Sequence, residues 1–153
     1  MRLQIRRRGA GLMGRKNRSS TPAERRRTGF LKESVPLVRA DQAHGIGLTG
    51  SGVTVAILDS GVDRTQSDLS DAVVDEHCFC TNANGTGCCP DGAAEQAGPG
   101  SARDENGHGT NVTGIVAGRG RKAGIGVAPG ASVVAVRVLD RQNRFSGTTQ
   151  VVS

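Results

Sequence analysis

Two almost unbroken apolar runs, Thr54-Val55-Ala56-Ile57-Leu58 and Val133-Val134-Ala135-Val136-Arg137-Val138-Leu139, constrain the fold of this chain more than any other feature. Apolar residues that run on without polar alternation predict strands buried on both faces. Between them, Gly109-Thr110-Asn111-Val112-Thr113-Gly114-Ile115-Val116-Ala117-Gly118 is a small-residue segment of helical length, with Gly118 placed to stop it. Buried strand, helix and buried strand predict an α/β fold with a central parallel sheet. Residues 75 to 104, rich in Gly, Asn, Asp, Pro and Cys, carry neither period, and the expectation is a long excursion from that sheet. The last residues, Gln150-Val151-Val152-Ser153, open another apolar element, so a sheet truncated at its C-terminal side is expected.

Charge divides the chain. Residues 1 to 39 hold twelve Lys and Arg against Glu24 and Glu33, a net of +10, so the +6 of the whole chain leaves −4 for the remainder. Apolar periodicity is missing there, and the Arg-Arg-Arg runs at 6 to 8 and 25 to 27 repel one another, so residues 1–34 are expected to form a solvated basic arm or a propeptide remnant. Nucleic-acid binding is not expected, because a stacking surface needs aromatics and the chain has no Trp, no Tyr and three Phe. No apolar run approaches the roughly 20 residues of a membrane span, and Gly9 to Gly14 is too short for the core of a signal peptide.

Four cysteines, Cys78, Cys80, Cys88 and Cys89, crowd into the expected excursion. Their C-x-C and C-C spacings differ from the C-x₂-C pairs of structural zinc, even with His77 adjacent, so two disulfides are expected, with all three pairings open. Disulfides imply an oxidising compartment, which points to a secreted protein although no signal peptide is visible. Gly45-Ile46-Gly47-Leu48-Thr49-Gly50 satisfies G-x-G-x-x-G, yet it precedes a strand where a dinucleotide-binding loop must follow one, so no nucleotide cofactor is expected.

Two residues stand out chemically. Asp59 ends the first strand in Leu58-Asp59-Ser60-Gly61-Val62-Asp63, and the carboxyl ends of strands in open parallel sheets are where active sites collect. His108, in Asp104-Glu105-Asn106-Gly107-His108-Gly109-Thr110, opens the small-residue helix between two glycines, whose lack of side chains would let a substrate backbone come close. A carboxylate on one imidazole nitrogen would fix the tautomer and leave the other nitrogen to accept a proton.

The stretches Gly52 to Asp63 and Asn106-Gly107-His108-Gly109-Thr110 resemble the Asp and His signatures of the subtilisin-like serine proteases. Gly126-Val127-Ala128-Pro129-Gly130-Ala131 and Val136-Arg137-Val138-Leu139-Asp140 resemble the turn and strand that follow in that family. The order Asp before His is the subtilisin order, whereas chymotrypsin-like enzymes run His-Asp-Ser and α/β-hydrolases Ser-Asp-His.

The resemblance covers roughly residues 35 to 153 and implies the N-terminal part of an endopeptidase domain acting on peptide or protein substrates. It implies that Asp59 orients His108, that His108 serves as general base and then acid, and that Phe145, Ser146 and Gly147 form a substrate-pairing segment. It also puts a common calcium-coordinating carboxylate at Asp68, although Arg119-Gly120-Arg121-Lys122 brings cations where a hard ion needs oxygens, so no metal is expected.

The sequence departs from the family at Gln66-Ser67-Asp68-Leu69, which stands where a His-Pro-Asp-Leu turn is usual, and at Asn111, which stands where a second histidine is common. More important, none of the serines from Ser60 onward (Ser60, Ser67, Ser70, Ser101, Ser132, Ser146, Ser153) lies in a Gly-Thr-Ser-hydrophobic-Ala motif, and no downstream oxyanion-hole Asn is present. The expectation is an enzyme fragment with two of three triad members and no activity alone. The alternative is a non-catalytic protease-fold protein with a binding role or none. Oligomeric state and substrate preference are not legible.

Overall fold

A computed structural model describes residues 31–146. The expected basic arm lies almost wholly outside them. Residues 31–37 are helical (α1), and α2 (Ala40–Gly45) follows through a turn at Arg39. This lead-in packs on the turn before the last strand: His44 Nε2 lies 2.9 Å from the Val127 carbonyl, and the Gly130 N–H donates to Thr49 O at 2.7 Å.

The sheet is built from β1 (Thr54–Asp59), β2 (Val73–Phe79), β3 (Glu95–Ala97) and β4 (Ser132–Arg137), in the spatial order β1-β4-β2-β3. The pairs β1–β4 and β4–β2 are parallel, and β3 adds antiparallel on β2. The crossover helix α3 (His108–Ala117) buries Gly109, Thr113 and Ala117, a stripe at spacing four that brings the helix close to the sheet. Ile57, Val62, Leu69, Ala72, Val73, Ala102, Val133 and Ala135 complete the core with Ala117.

Two expectations need correction. Residues 75 to 104 are not simply an excursion, because most of β2 and all of β3 lie there and β2 is a central strand. Its polar residues hid it. Glu76 is buried, pairs with Arg64 at 3.2 Å and accepts the Gly100 N–H, while Asp75 bonds His77 at 3.0 Å on the exposed side. The excursion proper is the hairpin-like loop between β2 and β3, tied by disulfides Cys78–Cys89 and Cys80–Cys88 into a small buried cluster.

Nor is β1 buried on both faces. It is the outer strand, with Ala56 exposed and Leu58 half exposed while Ile57 and Asp59 face α3. Among the described residues nothing pairs with its free edge.

Candidate active site

The register of the sheet places Asp59 opposite Arg137, at the carboxyl ends of β1 and β4. There the Asp59 carbonyl accepts the N–H groups of Val138 and Leu139 at 2.8 and 3.3 Å, which fixes the strand end. The carboxylate is largely buried. One oxygen accepts the N–H of Ser60 at 2.7 Å.

His108 is the first residue of α3, and its Nδ1 lies 2.7 and 2.9 Å from the two carboxylate oxygens of Asp59. A carboxylate can only accept, so Nδ1 carries a proton, and in the neutral form of the ring the lone pair is at Nε2. The His108 side chain is 52% exposed against 12% for Asp59. Nε2 makes no hydrogen bond among the described residues and faces out. One nitrogen is therefore anchored to a fixed anion while the other is available to a reacting group.

The flanking glycines also have a reason in the fold, beside the substrate approach that the sequence suggested. Gly107 adopts φ 99°, a backbone that L-residues avoid, in open space. Gly109 is buried, and a Cβ there would stand 2.2 Å from the Gly61 carbonyl oxygen. Its bareness lets the start of α3 seat on the turn after β1, which is what brings His108 to Asp59.

Three residues that sequence reasoning left without a role hold this junction. The Asp104 carboxylate accepts the N–H groups of Asn106 and Gly107 at 2.9 Å and of Thr110 at 3.0 Å, with the Thr110 hydroxyl at 2.5 Å. It thus caps α3, whose N-cap Gly107 has no side chain to do so. Ser60 donates its hydroxyl to Asp104 at 3.0 Å and accepts the Gly109 N–H at 2.9 Å, coupling the β1 turn to the helix start. Arg137, fully buried, donates to Arg103 O at 2.8 Å and to Glu105 at 3.0 Å, fastening the same segment to β4. The legible signal was an acidic residue just ahead of a helix whose N-cap is a glycine.

Burial tends to raise the Asp104 pKa, but the hydrogen bonds from Gly107, Thr110 and Asn106 outweigh it and hold the carboxyl below its ordinary value. A carboxyl lowered on folding contributes stability above its unfolded pKa and loses it as pH falls through the folded value. Asp104→Ala is therefore expected to cost about 2 kcal/mol at pH 7, the scale of a charge-assisted cap. The gap should be smaller at pH 3, below the ordinary Asp value, because the cap is weakened as the carboxylate takes up its proton. Urea titrations at the two pH values check this, and a gap that stays constant with pH would contradict the role.

Of the expected substrate-pairing residues, Phe145 and Ser146 are exposed and make no hydrogen bond among the described residues. Gly147 lies outside them. The loop just before them is closed by Asp140, which accepts the N–H groups of Gln142 and Arg144 at 2.9 Å, and it touches the histidine segment where Asn106 Nδ2 donates to Arg141 O at 3.1 Å.

A buried carboxylate that ends a parallel strand is thus bonded to a histidine that opens the crossover helix. The chain belongs to the subtilase family, whose sequence profile matches residues 50–152. Subtilisin BL of Lederbergia lenta is 42% identical over 108 residues, 70% of this chain and 33% of that protein. The major intracellular serine protease of Bacillus subtilis (strain 168) is 34% identical over 114 residues, 74% of this chain and 32% of its own length. Among solved structures, sphericase aligns with a TM-score of 0.51 and 30% identity, over 63% of this chain and 28% of its own. The chain thus spans about a third of the length of the relatives it matches. No helix among the described residues is long and apolar enough to cross a membrane.

Proposed function

We propose that residues 35–153 carry the Asp59–His108 portion of a subtilisin-type serine endopeptidase centre, and that these 153 residues cleave no peptide by themselves. The observation that carries the reading is the bond from His108 Nδ1 to Asp59, with Nε2 left free. Given a serine hydroxyl at Nε2, the neutral ring removes its proton as the oxygen attacks a peptide carbonyl. The Asp59 carboxylate stabilises the imidazolium, which returns the proton to the departing amine. An acyl-enzyme remains. Water, deprotonated by the same nitrogen, releases the acid and restores the serine.

The substrates on this reading are peptides or proteins, paired in extended form along Phe145, Ser146 and Gly147. Two disulfides favour an extracellular setting, although one relative is named as intracellular.

The test has two arms. Alone, the purified chain should hydrolyse no fluorogenic peptide and take up no fluorophosphonate, because no serine in it has a nucleophile's context and no oxyanion donor is supplied. Mixed with a separately expressed serine-bearing C-terminal portion of a related subtilase, it should release the fluorophore. Probe labelling of the chain alone would overturn its inactivity. A folded but silent mixture would favour the second reading, a protease-fold protein without catalysis.

A further inference from the structure

The turn that joins α3 to β4 begins at Arg119 and folds back over the segment between β1 and β2 that holds Asp68. Subtilase resemblance marks Asp68 as a carboxylate for a structural calcium ion. The donor chemistry around it does not fit one.

Calcium needs six to eight oxygens, roughly 2.3–2.6 Å from the ion. Asp68 is buried, and its two oxygens already accept three backbone N–H groups: Arg121, Lys122 at 3.2 and 3.1 Å, and Ala123 at 2.8 Å. Those amides stand where a cation site would present carbonyls. Burial raises the Asp68 pKa, and the amides of Ala123, Arg121 and Lys122 more than offset it, so the group sits as a satisfied anion.

The Ser67 and Asp68 carbonyls and the Asp71 carboxylate are taken as well. The Arg121 guanidinium donates to the Ser67 carbonyl and grips Asp71 with two nitrogens, at 3.0 and 2.5 Å, while Arg119 Nε stands 3.6 Å from Asp71 and donates from its main chain to the Asp68 carbonyl at 3.1 Å. Among the described side chains of this turn, the buried Ser67 hydroxyl is without a partner, and one hydroxyl cannot hold a hard divalent ion.

We propose that Arg121 is the built-in cation of this turn, replacing a metal ion, so that the C-terminal end of the histidine-bearing helix is fastened by protein groups alone. The fork of a guanidinium matches a carboxylate in two places at once, which a lysine could not do. The consequence is a subtilase segment that chelators do not loosen and that loss of one arginine does.

Thermal unfolding of the full chain tests this in millimolar EDTA and in millimolar CaCl₂. The melting temperature should be the same in both. Arg121→Ala should lower it by about 5 °C. Because that variant could fail to fold, amide NMR spectra of the unaltered chain supply a second measure: the Arg121, Lys122 and Ala123 resonances should not move as calcium is added. A calcium-dependent rise in the parent's melting temperature, a saturable shift of those three amides, or an Arg121→Ala protein as stable as the parent would each overturn the proposal. Calcium that stabilises Arg121→Ala but not the parent supports it, since removing the guanidinium frees the Ser67 carbonyl and Asp71.

Discussion

Replacing His108 by alanine is expected to abolish the peptidase activity of this chain completed by a serine-bearing subtilase portion, a fall on the order of 10⁶ in kcat. That magnitude is subtilisin's own, carried over through family membership. The structural ground is that His108 Nδ1 is held at 2.7 Å by Asp59, a largely buried carboxylate at the end of a parallel strand, while the ring is about half exposed. The other two histidines offer no substitute. His44 is engaged at the Val127 carbonyl and His77 at Asp75.

Asp59→Asn should cost less, about 10⁴, because the amide preserves the shape but can hold the ring in the wrong tautomer and no longer balances the imidazolium. Initial rates on a fluorogenic peptide, with circular dichroism to show that each mixture is folded, decide the matter. A His108→Ala mixture within tenfold of the parent would remove the histidine from the mechanism.

The apolar strands and the helix between them were legible because each is locally consistent. β4 alternates intermediate and buried positions in an apolar run, and α3 is short, small-residued and bounded by glycine. Asp59 and His108 were legible because their neighbours are distinctive.

What escaped has one physical cause: polar groups satisfied at long range look like loop residues when read locally. Glu76 in β2 is buried only because Arg64 and the Gly100 amide reach it. Arg137 interrupts an apolar run, and its reason is the Arg103 carbonyl and Glu105, more than thirty residues back in the chain. Asp104 and Ser60 are 44 residues apart and form one unit only after the helix docks. The cysteine pairing likewise needed the curl of the loop, since Cys78 and Cys80 lie on the same face of the chain and could each reach either partner.

Gly109→Ala is expected to damage the site far more than the addition of one methyl group usually does. The added Cβ would lie 2.2 Å from the Gly61 carbonyl oxygen, 3.0 Å from the Gly61 nitrogen and 3.2 Å from Asp59 Cβ. All three are backbone or backbone-attached atoms at the end of β1, so no side chain can swing away. The helix start must withdraw by roughly 1 Å to restore ordinary contact distances. Overpacking of this kind costs about 1–3 kcal/mol.

The catalytic consequence should be larger than the stability loss suggests. A 1 Å withdrawal lengthens the 2.7 Å bond from His108 to Asp59 beyond hydrogen-bond range and breaks the 2.9 Å bond from the Gly109 amide to Ser60. Misplacement on that scale costs about 10² in rate. Gly107→Ala separates the two effects. Its Cβ meets nothing within 4 Å, so the cost is the φ of 99° alone, about 1–3 kcal/mol of backbone strain without displacement of the helix. Both variants should unfold more easily in urea, but only Gly109→Ala should lose the low-field NMR resonance of the His108 Nδ1 proton. If both retain that proton, the close approach of α3 to the β1 turn is not what sets the Asp59–His108 geometry.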